Sequence, residues 1–213
     1  MVRVLHTSDL HGKIDAVLNS AIEFDLWVDT GDFFPNESRG TRSIEVAFQT
    51  QWLSDENLPE RIASWLNGRP MISVGGNHDF VSLADALRGA GVDAHEITPE
   101  GVEDAGLTWA GFREVPWMMG EWNGETHDFN EVVGATFQSS PDVLVTHAPP
   151  AGVLDTCPDH GGGVSALMTA LCWQDHEVKA HFFGHIHEFG GQTVNKMCVM
   201  FVNGAGHAVV HNL

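Results

Sequence analysis

Residues 71–80, MISVGGNHDF, combine a short apolar run with a loop that carries asparagine, histidine and aspartate. The same arrangement recurs along the chain, where the apolar runs VRVLHTS, DLWVDT, DVLVT and AHFF lead into Asp9, Asp32, His147 and His185. Each run is typical of a strand, and the ladder hydrogen bonds of a strand fix the direction of the side chains that follow it. Side chains at strand ends carry the chemistry of α/β folds, so we predict an α/β protein with its site there.

The polar side chains of these five blocks are all possible metal ligands. They are Asp9, His11, Asp32, Asn77, His147, His185 and His187. Carboxylate oxygen and imidazole nitrogen suit manganese, iron, zinc, nickel or cobalt better than calcium, and the absence of cysteine from the blocks argues against a structural zinc site. Two divalent cations need one carboxylate that bridges them, for which Asp32 is the candidate. The pattern therefore predicts a two-metal phosphoesterase site.

Together the blocks DLH at 9–11, GD at 31–32, GNHD at 76–79, His147 and GHIH at 184–187 resemble the calcineurin-like metallophosphoesterase superfamily in order and spacing. The resemblance implies a four-layer α/β/β/α sandwich of two mixed sheets flanked by helices. It implies two metal sites, the first built from Asp9, His11, Asp32 and His187, the second from Asp32, Asn77, His147 and His185. Manganese is the first expectation for the metals, with iron, zinc, nickel, cobalt or magnesium as alternatives.

The resemblance also implies a mechanism. A metal-bridging hydroxide would attack phosphorus, and His78 would contact the phosphate and protonate the leaving oxygen. Asp79 is expected to accept a hydrogen bond from the other ring nitrogen of His78, so that its replacement should weaken the rate more than metal binding.

A narrower likeness comes from THAPPAGVLD at 146–155, FFGHIHEFGG at 182–191 and PWMMGEW at 116–122, which resemble the small metallophosphoesterase-domain proteins related to brain-enriched members. The leading hypothesis is a phosphodiesterase for small diesters such as 2′,3′- or 3′,5′-cyclic nucleotides. A phosphomonoesterase, including a protein phosphatase, is a second reading. A non-catalytic scaffold is a third, against which the intact His78 and His187 argue.

Composition limits the partners and the setting. The 213 residues, 43% apolar, are expected to form one domain over residues 1–213. A net charge of −19 with only 10 basic residues disfavours long nucleic acids and leaves a small phosphodiester as the expected partner. We find no run of about 18 apolar residues that would span a membrane, and no signal segment, so a cytoplasmic protein is expected. The oligomeric state stays open.

Several residues outside the blocks carry separate expectations. The three cysteines, at 157, 172 and 198, suggest neither disulfides nor a zinc site. His6 and His181 lie in apolar strands and are expected to be satisfied core histidines. His160 opens a glycine stretch and is singled out for testing. In the loop at 116–129, which also holds Met119, Trp117 and Trp122 are expected to anchor to the core, with stacking on a nucleobase as the alternative.

The helix and turn signals give further expectations. Residues 41–67 are predicted to form two helices that break around Leu58 and Pro59, with one apolar core stripe from Ile44 to Trp52 and another from Leu58 to Leu66. The chain from residue 196 onward is predicted to form a hairpin that turns at Asn203 and Gly204. Sharp backbone turns are expected at glycines 31, 75, 76 and 184.

Overall fold

The computed structural model describes residues 1–38, 40–118, 120–156 and 162–213. The expectations for His160, Cys157 and Met119 lie outside these residues. The α-helices described are α1 (Asp15–Leu18), α2 (Arg42–Asp55), α3 (Leu58–Leu66), α4 (Leu83–Gly89), α5 (Asn130–Gln138) and α6 (Ser165–Trp173). A 3-10 turn at His187–Phe189 begins at the last residue of the GHIH block.

The strands fall into two large mixed sheets and one small ribbon. The first sheet has the order β13-β1-β2-β3-β4, formed by Ala208–Asn212, Arg3–Thr7, Leu26–Asp29, Met71–Ser73 and Ala94–Glu96. The second has the order β11-β12-β10-β9-β6-β5, formed by Thr193–Lys196, Val199–Asn203, Ala180–Phe183, Val143–Thr146, Leu107–Phe112 and Val102–Asp104. The ribbon pairs β7 (Val115–Pro116) with β8 (Glu125–Thr126).

Most neighbouring strands run parallel, so their carboxyl ends meet at one edge of each sheet. In the first sheet β1, β2, β3 and β4 are parallel, and only β13 runs against β1. In the second sheet β12, β10, β9 and β6 are parallel, and β11 and β5 are antiparallel at the margins. Loops that leave the parallel strands therefore gather on one side of each sheet.

Three apolar clusters define the layers. The middle cluster lies between the sheets and joins Val4, Val28 and Ile72 of the first to Val145 and Phe182 of the second. An outer cluster packs α3 and α4 on the far face of the first sheet, and another packs α5 and α6 on the second. This is the α/β/β/α order of two mixed sheets flanked by helices, as the sequence predicted.

The face that α2 buries differs from the prediction. Glu45, Gln49 and Leu53 are buried, whereas Ile44 is 45% exposed. Glu45 and Gln49 point inward because they hydrogen-bond the loops that follow β2 and β3. The apolar stripe from Ile44 to Trp52 is therefore wrong as a core face, although Trp52 packs partly against the outer cluster.

The second predicted stripe, on α3, is confirmed. Leu58, Ile62 and Leu66 are all buried. The break between the helices precedes Leu58, because Asn57 adopts a left-handed φ of 46°. Pro59 lies in the first turn of α3, where its missing N–H removes no helical hydrogen bond.

The predicted C-terminal hairpin is wrong in its position. The hairpin joins β11 to β12 and turns at Met197 and Cys198, whose φ values of 52° and 61° suit a tight turn. Strands β12 and β13 belong to different sheets. Gly204 lies in the segment where the chain passes from the second sheet to the first. A Cβ at this position would collide with the ring of His6.

The two strand histidines are core residues, as predicted, but each is only half satisfied. His6 and His181 are fully buried. Their Nε2 atoms lie 2.9 Å from Thr30 Oγ1 and 2.8 Å from Thr146 Oγ1, while both Nδ1 atoms lack a partner among the residues that the structure describes. Burial lowers the pKa of each to about 3, so both rings are neutral.

Candidate metal centre

The carboxyl edges of both sheets deliver the seven candidate ligands to one place. Asp9 and His11 follow β1, Asp32 follows β2 and Asn77 follows β3, all in the first sheet. His147 follows β9, and His185 and His187 follow β10, in the second. The site therefore straddles the interface between the sheets.

Four of these residues hold unusual backbone conformations. Asp9, His11, Asp32 and His185 have φ values of 53°, 44°, 54° and 66°. Such left-handed conformations cost about 1 kcal/mol or more in a residue with a side chain. These backbone conformations direct the four side chains toward the other candidate ligands at the carboxyl ends of the strands.

The glycines in these loops act mainly by allowing close approach. Of the four predicted turn glycines, only Gly31 has a positive φ, at 94°. A Cβ at Gly76 would collide with the Asp32 carboxylate, and one at Gly184 would collide with Ser8 and Asp9. Tight turns nevertheless begin at Gly76 and Gly184, whose carbonyls accept from the N–H groups of Asp79 at 3.3 Å and Ile186 at 2.7 Å.

One half of the cluster is built around the buried Asp9 carboxylate. Its Oδ1 accepts from His187 Nε2 at 2.9 Å, and its Oδ2 accepts from Ser8 Oγ at 2.6 Å and from the His185 N–H at 2.9 Å. The His11 ring centre lies 5.4 Å from that of His187. Both carboxylate oxygens are thus fixed before any ligand binds.

The other half surrounds the fully buried His147 ring. Its Nδ1 lies 2.7 Å from the carbonyl of Thr30, which can only accept, so Nδ1 carries a proton. Its Nε2 faces Asp32 Oδ2 at 3.3 Å, Asn77 Oδ1 at 3.1 Å and His185 Nδ1 at 3.3 Å. Two oxygens and two ring nitrogens therefore converge on one point.

The electrostatics of this point favour a positive charge. Burial alone would lower the pKa of His147, but the carboxylates of Asp32 and Asp9 raise it to about 10. Burial would likewise raise the pKa of Asp32, yet His147 and other nearby histidines hold it below its ordinary value. Burial lowers the pKa of His185 to about 4. The same field of the two carboxylates would favour a bound cation.

The donor set fits divalent cations. Ligand atoms of Asp9, His11 and His187 lie within 4.8 Å of one another, and so do those of Asp9, Asp32 and His147. A third such group joins His11 and Asp32 to His78. Mixed carboxylate and imidazole sites are typical of manganese, iron and zinc, and Asp32, which joins two of the groups, is suitably placed for a bridge.

His78 lies at the rim of this cluster, but its predicted partner is wrong. The carboxylate of Asp79 accepts from the backbone N–H groups of Asp32, Gly76 and Phe34, at 2.7, 2.9 and 3.1 Å. The ring of His78 instead places Nδ1 2.6 Å from Asn36 Oδ1. Although the two residues adjoin in sequence, Asp79 points into the loop and His78 points toward the ligands.

Asn36 fixes the tautomer of His78. Its amide nitrogen lies 3.1 Å from Glu45 Oε2 and 3.0 Å from the His78 carbonyl, both of which only accept. The amide oxygen must then face His78, so His78 Nδ1 carries the proton and donates it to this oxygen. The remaining ring nitrogen, Nε2, faces Asp32 Oδ2 at 3.8 Å.

The sequence reasoning missed this support, which comes largely from α2. Glu45 accepts from the N–H groups of Glu37 and Ser38 as well as from Asn36. Gln49 donates to the His78 carbonyl at 2.7 Å. A sequence signal existed, because Glu45, Gln49 and Leu53 recur every four residues and mark one helix face.

The loop at 116–129 reaches the cluster through one of its two tryptophans. The half-buried ring of Trp122 lies 4.1 Å from that of His78, with the planes at 41°. Trp117 is 50% exposed and stacks on His127 at 5.0 Å. Neither ring is anchored in the core as expected, and of the two only Trp122 adjoins the candidate site.

The sandwich and the clustered Asp and His donors at the strand ends are features of metal-dependent phosphoesterases. Residues 2–189 match the model of the Calcineurin-like phosphoesterase family, and the chain belongs to that family. The family is usually dependent on two metals and acts on phosphate esters. No curated protein sequence matches the chain.

Proposed function

We propose that the protein is a metal-dependent phosphodiesterase that hydrolyses small diesters, with cyclic nucleotides as candidate substrates. The observation that carries the proposal is the position of His78. Its Nε2 faces Asp32 at the metal cluster, while its Nδ1 is held by Asn36. As the imidazolium, with a second proton on Nε2, this ring is a proton donor fixed beside the place where a phosphate would bind.

Two described arginines near the His78 loop donate to neutral oxygens, which favours a diester over a monoester. A diester carries one negative charge, whereas a monoester carries up to two and gains more from extra cationic groups. Arg113 donates to the carbonyls of Gly76 and Asp79, and Arg42 donates to Asn123. In the described part of the chain, both guanidinium groups thus already have neutral protein acceptors.

The protein's own groups would act on the two ester oxygens differently. Asp9, His11, Asp32, Asn77, His147, His185 and His187 would hold two divalent cations. When bound, those cations would supply Lewis-acid stabilisation of the phosphate and activate water. His78, as the acid, would give the proton on Nε2 to the leaving oxygen, while Asn36 accepts the hydrogen bond from Nδ1 and stabilises the imidazolium.

Trp122 offers a surface for a base or other flat leaving group. Its ring adjoins His78, so on this proposal it would lie on the side of the leaving oxygen. Stacking of a base on an aromatic ring contributes about 1–3 kcal/mol. We therefore include nucleotide esters among the candidate substrates.

The first test compares bis-p-nitrophenyl phosphate with p-nitrophenyl phosphate, with Mn²⁺ and with a chelator. We expect metal-dependent turnover that favours the diester and is lost in Asp32→Ala. Preferred turnover of the monoester would support a phosphomonoesterase instead. Absence of turnover with every divalent metal would favour a non-catalytic scaffold.

A second test separates the two tryptophans. Trp122→Ala should raise KM for 2′,3′-cyclic AMP roughly 10-fold, the loss expected for one stacked base, and should change KM for bis-p-nitrophenyl phosphate less. Trp117→Ala is the matched control, because its ring stacks on His127 away from the ligands. Equal effects of Trp122→Ala on both substrates would contradict stacking.

A further inference from the structure

A separate cavity opens onto the metal cluster beside the histidines of the first and last blocks. It has a volume of about 370 Å³ and is lined by His11 and His187, together with Asp9, but by neither His78 nor Trp122. Its size lies within the range of small-molecule sites, roughly 300–1,000 Å³. The cavity thus reaches the cluster on the His187 side of His11, whose ring centre lies 4.9 Å from that of His78.

The cavity contains an unpaired cation. Lys13 lines it, and no hydrogen bond or ion pair of its side chain occurs within the described residues. Other described basic side chains are engaged: Arg3, Arg61, Arg88 and Lys179 pair with carboxylates, and Arg42, Arg69 and Arg113 donate to neutral oxygens. Lys196, on β11, is the comparable free lysine, and it does not line this cavity.

The remaining walls suit an organic group that ends in a charge. Val17 and Ile22 supply an apolar side, and His207 supplies an imidazole opposite the metal ligands. The ring of His207 packs closely over Gly190 and Gly191, which fixes its position. Only Asp9 contributes a carboxylate to the lining, and His187 already binds it.

We propose that this cavity binds the non-leaving arm of an acyclic phosphodiester, and that Lys13 pairs with a second anionic group on that arm. The inference rests on the proposed phosphodiesterase function. With His78 at the leaving oxygen, the arm that stays on phosphorus must extend away from His78, and this cavity offers space for it beside the cluster. A cyclic diester has no separate arm, so the inference adds to the candidate substrates the acyclic diesters that carry a further phosphate or carboxylate.

The test uses two esters that release the same p-nitrophenolate. One is thymidine 5′-(p-nitrophenyl phosphate), and the other carries an additional 3′-phosphate on the thymidine arm. The metal-loaded protein should show a kcat/KM about fivefold higher for the 3′-phosphorylated ester at low salt, as expected for one partly exposed ion pair. Added salt should reduce this preference.

Variants assign the preference to a side chain. Lys13→Gln should bring the ratio of the two kcat/KM values close to one, and Lys196→Gln should leave it unchanged. Calorimetry gives a readout independent of turnover: Lys13→Gln should weaken binding of thymidine 3′,5′-bisphosphate about fivefold relative to thymidine 5′-monophosphate.

The outcomes distinguish the two proposals. If the wild-type protein hydrolyses neither ester with any divalent metal, the phosphodiesterase function itself is contradicted. If it hydrolyses both with equal kcat/KM, or if Lys13→Gln keeps the preference, the cavity inference is overturned while the phosphodiesterase function stands.

Discussion

Replacing Asn36 with alanine should slow the hydrolysis of an alkyl diester far more than that of an activated aryl diester. Asn36 Oδ1 accepts from His78 Nδ1 at 2.6 Å, and it is the hydrogen bond that holds this ring nitrogen. A hydrogen bond to a charged group contributes about 1.5–3 kcal/mol, so losing the bond that orients and stabilises the imidazolium acid should reduce kcat roughly 10- to 100-fold. Because the p-nitrophenolate anion leaves without a proton, kcat for the aryl diester should be reduced much less.

The assay compares kcat for 2′,3′-cyclic AMP and for bis-p-nitrophenyl phosphate at saturating Mn²⁺. Ser38→Ala is the matched control, because Ser38 lies in the same loop and its hydroxyl donates to Glu45 without touching His78. Thermal unfolding of both variants tests whether the loop remains folded. Equal losses on the two substrates in Asn36→Ala would refute the assignment of Asn36 as the residue that positions His78.

Two further predictions concern buried groups. Asp79→Ala should lower the free energy of unfolding by at least about 3 kcal/mol and weaken Mn²⁺ binding as well as turnover, because it leaves three buried N–H groups of the metal-binding loops unpaired. Urea unfolding measures the stability and metal titration measures the Mn²⁺ binding. A loss of turnover with unchanged stability and metal binding would contradict this prediction. His181 has its pKa lowered from 6.5 to about 3 by burial, so the unfolded state binds more protons between these values and stability falls as pH falls below 6.5. Between pH 7 and pH 5 this linkage costs the folded protein roughly 2 kcal/mol, so wild type should lose about that much more stability than His181→Gln in urea unfolding with chelator present. His127→Gln, which removes an exposed imidazole, should follow wild type, and parallel losses in wild type and His181→Gln would show that His181 does not titrate in this way.

The fold was largely predictable because its signals are local. Apolar runs of strand length, each followed by a polar loop, identified β1, β2, β3, β9 and β10 close to their observed bounds. The stripe on α3 was also predictable, since Leu58, Ile62 and Leu66 have no polar competitor on their face. The layered arrangement came from the resemblance, and the three apolar clusters now show it directly.

Prediction failed where a residue's role depends on a distant segment. Ile44 is an apolar residue at helical spacing, yet α2 buries Glu45 and Gln49 because the loops of two other strands offer them hydrogen-bond partners. Asn203 and Gly204 have the composition of a tight turn, but the chain there crosses from one sheet to the other beside His6. Composition cannot distinguish a tight hairpin turn from a connection between two sheets, since a small residue suits both.

By itself, the sequence determined which ligand types are present, their order, and their placement at strand ends, because strand formation and side-chain chemistry are properties of short segments. Only the tertiary structure decided which atoms meet. Asn36, 42 residues before His78, holds its ring, while the adjacent Asp79 turns away into the loop. Lys13 likewise faces a cavity closed by His207 from the far end of the chain. Such contacts depend on how the two sheets and α2 pack together, which no local pattern encodes.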